Sequence, residues 1–213
     1  MPSSRGRFTD GVAPAFDTFA RFYDMPWLQS CVYRPPQDAI VTLLRARGAR
    51  RIVDVGCGIG ILADRIQREL GPDEVVGVDV SEGMLEKAKA RSAAVRWIVG
   101  GAEDLPLPAG SVDAVVTTTA FHFFDQPAAL AEFGRVLAPG GIAAVGVVTQ
   151  PFVMPGSLGW IGKGWGNRLH QPTANELRNL FGQAGFQDVE QRRVRSGLFG
   201  WPFFYRITMG ISP

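Results

Sequence analysis

Apolar positions along this chain of 213 residues switch repeatedly between two spacings. Behind Pro35-Pro36, the residues Ala39, Ile40, Leu43 and Leu44 recur at the helical interval and predict a helix to about residue 47. Ile52, Val53 and Val55 form a compact apolar run that predicts a strand, and residues 61–70 return to helical spacing. Val75-Val76-Gly77-Val78 predicts a second strand, and Ser81 is placed to cap a helix through Arg91. Strands are predicted over 95–99 and 112–117, then a helix over 127–137 that stops at Pro139-Gly140-Gly141. Residues 142–148 are small and apolar, as a strand covered on both faces should be. A helix over 173–184 meets Gly185, and strands over 188–194 and 203–209 complete the pattern. Such alternation requires a mainly parallel sheet with helices on both faces, a doubly wound α/β fold. There is no internal repeat and no low-complexity tract, and one domain over 1–213 is the expectation.

The first predicted strand breaks into Val55-Gly56-Cys57-Gly58-Ile59-Gly60, with Asp54 two places before the first glycine. Glycines at every second position between a strand and a helix let a ligand approach the backbone without Cβ atoms in the way. Asp79 ends the second strand, 19 residues after Gly60. A carboxylate there can accept both hydroxyls of a ribose. A nicotinamide fingerprint needs G-x-G-x-x-G, and its third glycine position is Ile61 here, whereas D-x-G-x-G-x-G is satisfied in full.

Composition narrows the class without changing that picture. With 46% apolar and 20% charged residues the chain is globular, and a formal charge of +2 gives no argument for a nucleic-acid partner. The basic clusters at 45–51 and 192–195 read as solvated charge at element ends. Cys31 and Cys57 make neither a disulfide framework nor a metal site, so no metal is expected. No stretch reaches eighteen apolar residues and the first five residues lack an apolar core behind their charge, so a cytoplasmic protein without an integral membrane segment is expected.

Four motifs in order resemble one family. Beside the glycine loop, Gly77-Val78-Asp79-Val80-Ser81-Glu82-Gly83-Met84-Leu85 resembles the second motif of class I S-adenosylmethionine (SAM)-dependent methyltransferases. Ala102-Glu103-Asp104-Leu105-Pro106-Leu107-Pro108 with Ser111-Val112-Asp113, and Arg135-Val136-Leu137-Ala138-Pro139-Gly140-Gly141, are similar to stretches of the ubiquinone/menaquinone methyltransferase-like subfamily, over about residues 15–190. The resemblance implies a Rossmann-like seven-stranded sheet with an antiparallel edge strand, and SAM as cofactor. It implies cofactor contacts from Asp54, Gly56, Cys57, Gly58, Gly60, Asp79, Val80, Met84, Ala102 and Glu103, with Tyr23 closing over the cofactor. Gly101 stands where the family often has an adenine-binding Asp, which shifts that contact to backbone groups or Glu103. Cys57 is expected to be a packing residue rather than a nucleophile.

Ligands on such a sheet sit beyond the C-terminal strand ends, at the point where strand order reverses. The aromatic-rich lead at 1–35, the stretch 119–125 and the glycine-rich, Trp-bearing loop 150–172 point there, and the first and last are expected to form a lid. A small apolar or aromatic acceptor suits that cleft, methylated at oxygen or carbon more readily than nitrogen. No N/D-P-P-Y motif follows the fourth strand, where 117–120 stands instead, which argues against a nucleic-acid substrate. Of two histidines, His122 follows the fourth strand and is the candidate base, with His170 and Asp125 behind it. A SAM-binding module without catalysis and an NAD-dependent oxidoreductase are the rival readings. The acceptor's identity and the oligomeric state are not legible.

Overall fold

The computed structural model describes residues 33–148, 171–198 and 201–213, with side chains undescribed at 196–198 and 201–203. Tyr23, His170 and nearly all of the expected lid segments lie outside the described residues. Helix α1 (Arg34–Arg47) begins with proline in its first turn, where the missing N–H has no intrahelical partner to lose, and ends at Gly48 in the left-handed conformation. Strand β1 (Arg51–Val55), helix α2 (Ile61–Leu70), strand β2 (Glu74–Asp79) and helix α3 (Glu82–Arg91) follow. Ser81 caps α3 by accepting the Met84 N–H. Strand β3 (Arg96–Val99), strand β4 (Val112–Thr118), a 3-10 turn over Phe121–Phe123 and helix α4 (Gln126–Val136) complete the centre. Strand β5 (Leu137–Val148), helix α5 (Ala174–Gln183), strand β6 (Gln187–Leu198) and strand β7 (Trp201–Ile211) close the order.

The seven strands run β3-β2-β1-β4-β5-β7-β6. Pairs from β3 to β5 are parallel, and β7 is antiparallel to both β5 and β6. The antiparallel edge is therefore a hairpin whose second strand is inserted inside the first. Sequence order reverses between β1 and β4, which puts the crevice above Val55 and Thr118.

The pleat sorts the core into two layers. Ile52, Ala114, Val116, Ile142, Ala144, Ile207 and Met209 face α1 and α2, with Ile40, Leu44, Leu62 and Ile66 packed on them. Val53, Val55, Val115, Ala143, Val145 and Val147 face α4 and α5, covered by Leu130, Phe133, Leu177 and Phe181. Each fully hidden Phe or Leu contributes on the order of 1.5–3 kcal/mol, so the two layers, not the loops, hold the sheet.

Two polar clamps set the loops. Asp113 accepts N–H groups of Arg50 and Arg51 and the Arg51 guanidinium, tying the start of β1 to that of β4. Arg135 donates to the Leu105 and Leu107 carbonyls while Glu132 accepts the Leu105 N–H, so that motif arginine fastens the 105–107 loop to α4. The strand ends differ from expectation at the hairpin. Residues 192–195 lie inside β6 instead of at an element end, because cross-strand pairing with β7 carries the strand on to Leu198.

Candidate functional site

The glycine loop joins β1 to α2 with Gly56, Gly58 and Gly60 all in the left-handed region, at φ of 68°, 53° and 76°. Their missing side chains serve different neighbours. A Cβ on Gly56 would lie 2.5 Å from the Ala120 Cβ and 3.1 Å from the Phe124 ring, so this glycine lets the loop after β4 press against the glycine loop. A Cβ on Gly60 would strike the Trp97 ring at 2.4 Å and Ala88 at 2.9 Å. At Gly58 a Cβ would meet nothing within 4 Å. Only this glycine of the three leaves backbone open toward empty space, and sequence spacing alone does not distinguish it from the others.

Asp79 binds that loop from the neighbouring strand. Its Oδ2 accepts the Gly58 N–H at 2.8 Å and its Oδ1 accepts the Ser81 N–H at 2.9 Å. A carboxylate has acceptor capacity beyond these bonds and suits the hydroxyls of a diol. Burial raises its pKa, with the N–H bonds from Ser81, Gly58 and Val80 pulling the other way. Asp54 lies beneath the loop, only 2% exposed. Burial, then repulsion from Asp79, pushes its pKa up to about 8, against a bond from the Ala63 N–H. Its Oδ2 is buried with no hydrogen-bond partner. An orphaned acceptor below an open glycine backbone, beside a diol-matching carboxylate, fits the ribosyl amino-acid skeleton of SAM.

The remaining motif residues collect around this centre. Val80 is exposed directly after Asp79, while Met84 is buried against Ile59 and forms the floor there. The Gly100 N–H donates to the Asp79 carbonyl, bringing the 100–104 loop alongside. Ala102 is buried in the core, and Glu103 accepts the Asp125 N–H at 2.8 Å, linking that loop to the one after β4. A side chain at Gly101 would approach only the Glu103 carboxylate, at 3.3 Å, which disfavours the family's Asp there by like charge. Cys57 is half-buried, and burial drives its thiol pKa upward, so it stays a protonated packing group. Asp125 accepts the Ala128 N–H as the α4 N-cap, which occupies it structurally.

His122 sits on the 3-10 turn, with its ring centroid 4.0 Å from that of Phe123. Burial lowers its pKa to about 4, so it is neutral at physiological pH. Just before it, Thr119 holds φ of 58°, a strained backbone for a β-branched residue. Its N–H donates to the Gly146 carbonyl, and that bond fixes the bend that lays Ala120 and Phe124 on Gly56. Thr119 is a site residue that sequence reasoning missed, since a threonine carries no signal of its φ. Among the described residues no group of His, Cys, Asp and Glu is placed to hold a metal.

Known proteins agree with this geometry. The methyltransferase domain family matches residues 52–141. An uncharacterized methyltransferase of Mycobacterium tuberculosis is 34% identical over 152 residues, covering 68% of this chain and 74% of that protein. The malonyl-[acyl-carrier protein] O-methyltransferase of Serratia marcescens is 32% identical over 155 residues, covering 72% of this chain and 57% of its own length. A SAM-dependent methyltransferase of Thermotoga maritima, described as a possible histamine N-methyltransferase, superposes with TM-score 0.70 at 25% identity over 93% of this chain and 98% of that one. The fold is shared with the magnesium protoporphyrin IX methyltransferase of Synechocystis with bound S-adenosylhomocysteine, at TM-score 0.73 and 19% identity, covering 97% of this chain and all of that one. The chain belongs to the class I SAM-dependent methyltransferases. It is an enzyme that uses SAM.

The three glycines give a test with opposite outcomes. Gly58→Ala should leave a folded protein, destabilised by about 1–2 kcal/mol through its left-handed φ, with S-adenosylhomocysteine affinity reduced at least tenfold. Gly60→Ala should unfold the protein or depress its melting temperature far more, since Trp97 and Ala88 leave no room. Thermal melts and calorimetric titration of both variants check this.

Proposed function

We propose that the protein transfers the methyl group of SAM to a small acceptor that is largely apolar, at oxygen or carbon in preference to nitrogen. The observation that carries this is the contact of Ala120 and Phe124 with Gly56, which sets the Phe124 ring directly against the glycine loop. An aromatic wall there favours an apolar acceptor face. The relative from Serratia is named for transfer to oxygen, which supports the choice of atom.

In this reading Gly58 and Asp79 hold the ribosyl part of the cofactor, Asp54 lies below its amino-acid end, and Val80, Met84, Ala102 and Glu103 border the base. SAM, when bound, supplies a methyl group already activated on a sulfonium. What the chain must add is alignment and exclusion of water, and alignment can supply roughly 7–11 kcal/mol of the barrier. Thr119 sets the angle of the loop, and Phe124 helps to exclude water. His122 presents a neutral ring that accepts a hydrogen bond from the acceptor and orients it.

Incubating the protein with labelled SAM and fractionated metabolite and lipid extracts tests the reading. Label should enter a small organic acceptor, released as an ether, ester or C-methyl product. Label in an amine, in nucleic acid, or in nothing while S-adenosylhomocysteine binds tightly, would overturn it.

The role of His122 is measured separately. With a pKa of about 4 it is too weak a base for the full 10² to 10⁴-fold of general base catalysis. His122→Ala should therefore lower turnover by less than about a hundredfold, and the wild-type rate should show no histidine titration between about pH 5 and 8. A larger loss, with a wild-type rate that climbs through pH 6 to 7, would make His122 the base.

A further inference from the structure

The face of the sheet that carries Val115, Val145 and Val147 continues across β7 and β6 with a different chemistry. Arg206 is paired with Val147 across the β5–β7 ladder and with Arg193 across the β7–β6 ladder, so two arginines stand directly opposite each other. Like charges directly opposite on a ladder are destabilising. Arg195 lies opposite Phe204, and the Arg193 guanidinium is stacked 4.7 Å above the Phe204 ring. Arg206 is half-buried, and its Nε is buried without any hydrogen-bond partner. Its Nη1 reaches Gln191 Oε1 at 3.4 Å, and Gln191 is itself fixed by donating to the Ala174 carbonyl and to Thr208 Oγ1.

Among the described residues no carboxylate pairs with Arg193, Arg195 or Arg206. The sequence has no Asp or Glu after Glu190, and none between Glu132 and Glu176. A solvated basic face would not desolvate a guanidinium donor and leave it without an acceptor. Arg206, half-buried with an unpartnered Nε, and the exposed Arg193 directly opposite it form a pair of donors suited to an anion.

Its position relates it to the reaction. Thr118 is paired with Gly146, so Val147 and Arg206 are level with Thr119, the residue that turns the chain toward the cofactor loop. Two inter-strand steps separate β4 from β7, about 10 Å at the usual strand spacing. An arginine side chain reaches over much of that distance. We propose that Arg206 and Arg193 bind a carboxylate carried by the methyl acceptor, at the opposite end from its apolar, reacting portion. This rests on the reading that the acceptor lies in the crevice above β4 and β5. The planar fork of Arg206 suits a bidentate carboxylate, and Arg193, held by Phe204, adds the second charge.

The test uses the protein saturated with S-adenosylhomocysteine and two matched probes, 3-(4-hydroxyphenyl)propanoate and its primary amide, titrated by calorimetry. Wild type should bind the carboxylate at least about tenfold more tightly than the amide. Arg206→Gln should abolish that preference and Arg193→Gln should weaken it, at unchanged S-adenosylhomocysteine affinity. Arg192→Gln should leave it intact, because Arg192 is paired with Ile207 and faces the α1 layer. If Arg206→Gln fails to fold, Arg206→Lys, which keeps the charge but not the fork, should retain only part of the preference. Equal binding of the two probes, binding of neither, or a preference that survives in Arg206→Gln overturns the site. Methyl transfer from labelled SAM to acid and amide alike would overturn the site and leave the methyltransferase reading standing. Carboxylate-selective binding with no transfer to any small molecule would keep the anion site and remove the acceptor reading instead.

Discussion

Replacing Asp79 by alanine should weaken S-adenosylhomocysteine binding by about ten- to over a hundredfold, the equivalent of 1.5–3 kcal/mol for charge-assisted hydrogen bonds. Two effects combine. The carboxylate that matches a ribose diol is lost, and the Gly58 and Ser81 N–H groups lose their common acceptor. The second effect loosens Gly58, the one glycine of the loop's three whose Cβ position is open. Asp79→Asn should fare little better, because its amide has one acceptor oxygen for two N–H donors. Titration of the folded variants, with melting temperature as the check on folding, measures this. An Asp79→Ala protein that folds and binds S-adenosylhomocysteine like wild type would remove the cofactor site from this loop.

The second large effect is on stability and grows with pH. Asp54 has a native pKa of about 8 through burial, against about 4 in an unfolded chain. Between those values the native state holds a proton that the unfolded state has released. Unfolding free energy therefore falls as pH rises across that window, by at most about 1.4 kcal/mol per pH unit for one proton. Asp54→Asn keeps the shape of the protonated side chain without the titration. The ligand-free variant should equal wild type near pH 4 and exceed it by several kcal/mol near pH 8. Denaturant unfolding over that range should show the two curves separating as pH rises, and parallel curves would refute the assignment. If the proposed cofactor reading holds, this buried carboxyl is a destabilising feature offset by ligand recognition, and the same variant should bind S-adenosylhomocysteine more weakly.

Periodicity and punctuation made much of this protein legible from its sequence. The proline entry of α1, the Ser81 cap and the left-handed glycines are local signals, and each element they mark is present within a few residues. The D-x-G-x-G-x-G spacing marked the loop but not the division of labour within it. Trp97, Ala120 and Phe124 reach Gly60 and Gly56 from distant strands and loops, and contacts of that kind leave no trace in spacing. The strain at Thr119 is invisible for the same reason, since it follows from the Gly146 carbonyl on another strand. Arg206 reads in sequence as one polar position in an alternating strand, and 192–195 as a solvated run. Only the register of β6 on β7 places Arg193 opposite Arg206.

The insertion of β7 between β5 and β6 also dictates an order of assembly. During synthesis β6 leaves the ribosome before β7, yet its only neighbour in the sheet is β7. The parallel strands β1 to β5 can pair as they emerge, while β6 must wait beside α1 and α5 until the last strand arrives and slots against β5. Closure of the sheet, and with it the ordering of the arginine face, is thus deferred until β7 has been made. A nascent chain halted before Trp201 should have a glycine loop framed by its own strands but an open, unpaired edge at β5, the surface through which an incomplete molecule would aggregate.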